Sequence, residues 1–195
     1  MSPRAGQIVA AARELVEQGG TQALTMRALA DRLGIRAPSL YKHFPDKSAV
    51  EAQLIALALD ELAFALEQAE HANSPSAARD TAAPAAYDAA PRAARGSGSL
   101  GALGSAYRAY ALAHPHLYRL MSAGPLPRDL LPAGVEERAA LPLLRIVGDE
   151  AGARAVWGLA HGLVMLELDG RFPPGADIEA AWAAGMSAFA ASVLG

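Results

Sequence analysis

The sequence contains no cysteine among its 195 residues. That excludes a disulfide framework and any thiolate metal site, and it suits a reducing cytosol. No apolar run approaches the roughly 20 residues that a membrane span requires. Nor does the N-terminus show the charged-then-apolar pattern of a signal peptide. A soluble, cytoplasmic protein with no membrane partner is therefore expected. Aromatic residues make up only 6% of the chain, and alanine inflates a hydrophobic content of 52%. The expected core is helical and lightly furnished. Reaction motifs are lacking too. His114, His116 and His161 do not have a metal-ligand spacing such as H-E-x-x-H, and there is no glycine-rich phosphate loop. Glu167 and Asp169, two residues apart, face different directions on a helix. With no nucleophile–base pair either, the expectation is a non-enzyme that holds no cofactor and no metal.

What is present begins with charge. The net charge is −3, an unpromising sign for a nucleic-acid partner until the chain is divided. Residues 1–50 hold seven Lys/Arg against four Asp/Glu, a surplus of three positive charges. The remainder holds ten against sixteen, six negative. A basic head on an acidic body is the electrostatic footprint of a small DNA reader.

Residues 24–47, LTMRALADRLGIRAPSLYKHFPDK, give that head a form. Thr25 is placed to N-cap a helix whose apolar stripe is Met26, Leu29, Ala30 and Leu33. Gly34 supplies the left-handed backbone of a sharp turn, and Ile35 plugs the corner. Pro38 falls in the first turn of a second, very short helix, where a missing N–H costs little. That helix has room for about two turns before Pro45 and carries Ser39, Tyr41, Lys42 and His43. A helix-turn-helix places such a helix in the DNA major groove.

These residues resemble the recognition-helix signature of the tetracycline-repressor-like (TetR) family. The shared pattern runs through Leu33, Gly34, Ile35, Leu40, Tyr41, His43, Phe44, Pro45, Lys47 and Val50. The upstream IVAAARELVEQGG has the same look. The resemblance implies base contacts from the start of the short helix and phosphate contacts from its end. Carried onto this chain, Arg27, Ala37, Pro38, Ser39 and Lys42 lie at base edges or beside them. Thr25, Tyr41, His43 and Lys47 reach phosphate. Arginine pairs bidentately with guanine, and Ala37 or Pro38 fits against a thymine methyl. Tyr41 and Phe44 also have a purely structural reading, holding the short helix in place. Arg36 departs from the family, which has Ser or another good N-cap there. Either the turn tolerates it, or Arg36 touches DNA.

Apolar spacing predicts helices over about 3–19, to about 71 from Asp46, near 100–114, 115–122, 135–147, 149–169 and from Asp177 onward. Residues 72–99 contain no Ile, Leu, Val, Phe, Met or Trp, and Pro75, Pro84 and Pro91 interrupt them. They read as a flexible linker or loop. The fold class is all-α, with a helix-turn-helix domain over 1–48 and a helical regulatory and dimerisation domain over 49–195.

AYRAYALAHPHLYRLM and AVWGLAHGLVMLELDGRF resemble the C-terminal domain of a TetR subgroup with a Trp-x-x-x-His-Gly core, here Trp157, His161 and Gly162. The resemblance implies that the last two helices pair with those of a second copy. Val156, Leu159, Leu163, Ile178, Trp182, Gly185 and Phe189 are the candidate interface, with burial inside one subunit as the alternative. Tyr107, Tyr110, His114, Tyr118, Met121, Trp157, His161 and Met165 are candidate liners of an effector pocket. His161 reads equally as a satisfied core histidine. The partners expected are double-stranded DNA bearing a palindromic operator, a second copy of the chain and a small-molecule effector. A repressor relieved by that effector is the leading function. An activator, a ligand-independent regulator and, more remotely, a helical enzyme or small-molecule carrier are the alternatives.

Overall fold

The computed structural model describes residues 2–73 and 92–193, and these residues form helices and no strands. The helices are α1 (Pro3–Gly19), α2 (Met26–Arg32), α3 (Ala37–Leu40), α4 (Lys47–Ala72) and α5 (Arg92–Ala113). They continue as α6 (Pro115–Ser122), α7 (Val135–Val147), α8 (Glu150–Leu168) and α9 (Ile178–Val193). A single 3-10 turn lies at Arg128–Leu130.

The helix starts follow from local chemistry. Thr25 accepts a hydrogen bond from the Ala28 amide at 3.0 Å, and Asp46 accepts one from Ala49 at 2.8 Å. Asp149 caps α8 through Gly152 at 2.7 Å, and Asp177 caps α9 through Ala180 at 2.9 Å. Each satisfies an amide that the first helical turn leaves open. At the other end of α8, Gly170 takes φ 60°, and Arg171 donates back to the Leu166 carbonyl at 2.8 Å. That closure needs a left-handed residue.

The linker reading of 72–99 fails at its C-terminal end. The backbone is helical from Arg92. Residues 92–95 favour a helix without supplying the large apolar side chains that periodicity detects, and the Gly-Ser-Gly-Ser that follows is carried into the helix despite its low propensity. Residues 74–91 of that segment lie outside the described residues.

Two compact units emerge from the packing. One comprises Met1–Glu61 with His114–Val135, the other Leu62–Ala113 with Glu136–Gly195. This division differs from the expected boundary at residue 48 for a physical reason. The first part of α4 supplies Val50, Leu54 and Ala58 to the head core, and α6 supplies Leu117. Leu117 and Tyr118 are fully buried. His114 Nδ1 lies 2.8 Å from Glu17 Oε1, fixing the start of α6 to α1. The remaining head core is Ile8, Val9, Ala11, Ala12, Val16, Leu24, Leu29, Ala30, Leu40 and Phe44.

In the second unit, Arg108 of α5 donates twice to Glu167 of α8, both at 2.8 Å, and also pairs with Glu179 of α9. Those carboxylates hold the guanidinium proton more tightly than usual, Glu167 first. Arg138 of α7 forks onto Glu67 at 2.9 and 2.8 Å, and Arg145 reaches Glu70 at 3.1 Å. The hydrogen bonds from Arg138 hold the Glu67 carboxyl below its ordinary value. Gly185 allows α8 and α9 to approach, since a Cβ there meets Leu159 Cδ2 at 2.9 Å.

If α6 is part of the head core, Leu117→Ala should destabilise that unit by roughly 2–5 kcal/mol, as fully buried leucines do. Urea unfolding followed by circular dichroism checks this. A loss of a few tenths would place Leu117 outside the core.

Candidate nucleic-acid interface

Between α2 and α3 the chain reverses in four residues. Gly34 takes φ 63°, and its amide donates to Asp31 O at 3.1 Å. The Ile35 amide then reaches the Ala30 carbonyl at 3.0 Å, and the Ile35 side chain packs against the head core. The turn therefore forms as its sequence requires. Leu40, fully buried, and Phe44, at 7% exposure, fasten α3 to the core. For both residues the structural role is the one observed. His43 and Phe44 donate backbone hydrogen bonds to Leu40 O at 2.8 and 2.9 Å, closing the helix end.

Burying one side of α3 leaves the other in solvent. Arg36, Pro38, Ser39, Tyr41, Lys42 and His43 are exposed, while Ala37 is half-buried. Tyr41 stands 52% exposed, far more than a residue serving only as packing. On α2, Thr25 and Arg27 are exposed too. The Thr25 hydroxyl is committed to its cap. Lys47 is half-buried, donating to Thr21 O at 3.2 Å with Glu51 at 3.3 Å. Most of the candidate DNA residues are thus exposed, with Thr25 and Lys47 also serving the fold. Arg36 makes no side-chain cap.

The positive surplus is concentrated by internal pairing. Arg13 forks onto Glu61, and Arg32 bonds Glu14 at 2.8 Å and Gln18 at 2.9 Å. These arginines are neutralised away from the turn. Cationic charge is left on α3 and at its edges, where it acts most strongly on an approaching polyanion.

The body residues sort less simply. Trp157 Nε1 donates to the Tyr107 hydroxyl at 3.2 Å, and the Trp157 and His161 rings lie 6.4 Å apart at 40°. Tyr107 and Tyr110 are buried, whereas Trp157 is 55% exposed. Met165 is half-buried one turn beyond His161. His114, Tyr118 and Met121 belong to the head unit instead, where His114 holds Glu17 and Met121 packs on the head core. Burial pushes the His161 imidazole below its usual value of 6.5.

Of the expected interface residues, Val156 and Trp182 are buried inside the chain itself, at 3% and 5% exposure. The apolar spacing marked the face turned toward the chain's own core. Leu159, Leu163, Ile178, Gly185 and Phe189 are half-buried. The exposed apolar positions include Trp157 and Leu166 on α8 beside the smaller Ala151, Ala155 and Gly158, and Ala180, Ala184 and Ala191 on α9. Sequence reasoning also missed a cleft of about 240 Å³ between α5 and α9, lined by Ser105, Arg108, Glu179, Trp182 and Met186 among others. Its signal was Arg108 opposite a tryptophan, which helical spacing alone does not bring together.

Residues 8–53 match the family model of bacterial regulatory proteins of the tetR family, and residues 100–189 match that of a tetracyclin repressor-like C-terminal domain. The chain belongs to the TetR family. It is a TetR-family transcriptional regulator, similar to an uncharacterised HTH-type transcriptional regulator of Mycobacterium tuberculosis. That relative is 27% identical over 172 residues, spanning 84% of this chain and 69% of the relative. The class A tetracycline repressor from transposon 1721 of Escherichia coli is 39% identical over 67 residues. That match covers 34% of this chain and only 27% of the repressor. A solved protein of unknown function from Rhodococcus sp. RHA1 shares the fold with TM-score 0.73 at 22% identity, covering 100% of this chain and 97% of its own. A TetR variant from Acinetobacter baumannii AYE, solved with minocycline, gives TM-score 0.63 at 21% identity over 98% and 96%. At these identities the solved structures bear on the TetR fold alone. Among the described residues no helix is long and apolar enough to cross a membrane.

Two outcomes test the local reading. Gly34→Ala should cost roughly 1–2 kcal/mol, because a Cβ is strained at this φ although space is open around it; thermal unfolding measures it. For His161 the folded value lies below the unfolded one, so its contribution is intact above pH 6.5 and erodes as the pH falls below it. His161→Gln should therefore lose less stability than wild type between about pH 7 and pH 5, read from urea midpoints.

Proposed function

We propose that this TetR-family regulator is a homodimeric repressor that reads a palindromic operator with the exposed face of α3. The observation that carries this reading is the division of α3 itself. Its apolar residues are sealed in the head core, while Arg36, Ser39, Tyr41, Lys42 and His43 are turned to solvent. On DNA, Ala37, Pro38 and Ser39 face base edges, with Arg27 beside them on α2. Tyr41 and His43 offer hydrogen-bond donors that fix register on phosphate, and Lys42, which the resemblance put at or beside base edges, joins them because its ammonium is a flexible point charge. Lys47 and Thr25 hold the edges of the same surface.

A palindrome requires a two-fold partner. The exposed small residues of α8 and α9 support a closely packed seam, in which Ala151, Ala155 and Gly158 meet Ala180 and Ala184 of a second copy. Val156 and Trp182 stiffen the helices from behind. A small amphipathic effector occupies the body, with Tyr107, Trp157 and His161 as its aromatic and polar contacts. Support comes from their mutual contact. By preferring the DNA-free arrangement, the effector shifts the population toward it.

The reading is tested by gel mobility shift on the DNA upstream of the protein's own gene. Binding there should be sequence-selective and fall steeply with salt. Lys42→Ala and Tyr41→Ala should weaken it while leaving the dimer intact by sedimentation. For Lys42→Ala the log–log salt slope should drop by about 1 for each protomer. Ala184→Glu should yield monomers and abolish tight operator binding. Dimeric Ala184→Glu protein would move the seam elsewhere.

A further inference from the structure

We infer that Arg36 sets the operator sequence of this protein by reading one guanine in each half-site. This rests on the DNA-binding reading above and adds to it the base that is selected. The argument starts from the seven cationic side chains of residues 1–50. Arg13 and Arg32 are committed to Glu61, Glu14 and Gln18. Arg4 bonds Gln7 at 2.8 Å, and Lys47 is held by Thr21 O and Glu51. Arg27, on α2 and not α3, extends into solvent with the Asp31 carboxylate 3.9 Å away. Arg36 and Lys42 are both exposed and have no intramolecular partner among the described residues.

The two differ in what they can read. A lysine ammonium is a compact charge on a flexible stem. An arginine guanidinium presents a planar fork that matches O6 and N7 of guanine. Lys42 therefore suits phosphate or a generic acceptor, and Arg36 suits one base. Its neighbours leave room for this, since Ala37 and Pro38 are short and do not hold the backbone away from a base edge.

Arg36 also occupies a position that local stability would give to another residue. Its backbone is extended, with φ −79° and ψ 140°, and no side-chain bond closes the turn that follows. At the equivalent position of other helices, Thr25, Asp46, Asp149 and Asp177 all accept such a bond at 2.7–3.0 Å. Ser2 caps α1 in the same way, while α6, whose N-cap His114 makes no such bond, shares the gap with α3. At α3 the uncapped position carries an exposed arginine, which fits a residue retained for a contact outside the chain.

The test is selection of bound duplexes from a random double-stranded pool, using the full chain as wild type, Arg36→Ala, Arg36→Lys and Lys42→Ala. Wild type should recover an inverted repeat containing one invariant guanine per half-site. Both Arg36 variants should lose that guanine and keep the other selected positions. Their affinity for the wild-type operator should fall roughly 5- to 150-fold per half-site, the worth of one bidentate pair. Arg36→Lys should keep the wild-type salt dependence, separating the fork from the charge. Lys42→Ala should keep the whole consensus at lower affinity. Arg36→Ser, with a capping hydroxyl restored, should melt at or above the wild-type temperature while losing the guanine, which excludes misfolding as the cause. Arg36→Ala and Arg36→Lys proteins that select the wild-type consensus, guanine included, would overturn the inference and leave DNA binding standing. A wild-type protein that selects no sequence would overturn both.

Discussion

A helix of four residues cannot hold itself together, because one turn fixes several backbone angles for very few hydrogen bonds. In this chain α3 persists because Leu40 is fully buried and Phe44 nearly so, between α1, α2 and the start of α4. Those two side chains set the rotation of α3. Once it is set, Arg36, Ser39, Tyr41, Lys42 and His43 have only solvent to face. The rest of the head serves that constraint. Gly34 and Ile35 aim the chain into the short helix, and the cap at Asp46 starts α4 directly after it. Leu117 of α6 closes the core from a distant part of the sequence.

Electrostatics works by subtraction. A net −3 protein meets a polyanion because its acidic residues are spent on internal arginines. Glu61 and Glu14 take Arg13 and Arg32 in the head, while Glu67, Glu70, Glu167 and Glu179 take Arg138, Arg145 and Arg108 in the body. Arg36 and Lys42, at either end of α3, have no ion pair among the described residues. The more exposed of these ion pairs, such as Arg145 with Glu70, contribute little to stability. Their larger consequence is where positive charge is allowed to show.

Much of this was legible in the sequence wherever the cause is local. Thr25, Asp46, Asp149 and Asp177 announce helix starts through their own side chains, and Gly34 and Gly170 announce turns through their backbone freedom. The helix-turn-helix itself was legible for the same reason, since its motif spans barely two dozen positions. Long-range partners were not. The spacing of Leu117 and Tyr118 says that one face of α6 is buried, but not that it is buried in the head. Large apolar residues on α8 and α9 drew attention to Val156 and Trp182, which the chain covers itself. The seam proposed for the dimer is largely alanine and glycine, whose spacing carries little hydrophobic signal. Residues 92–99 misled in the same way, since a helix lacking leucine and valine leaves no periodic trace.

The central claim is that one face of α3, held in register by Leu40, is where this regulator meets DNA. Amide hydrogen exchange of the full chain, with and without an operator duplex, tests it most directly. Exchange should slow over residues 25–28 and 36–44, with α9 unchanged by DNA. Unaltered exchange in those segments, with protection appearing in the body instead, would contradict it.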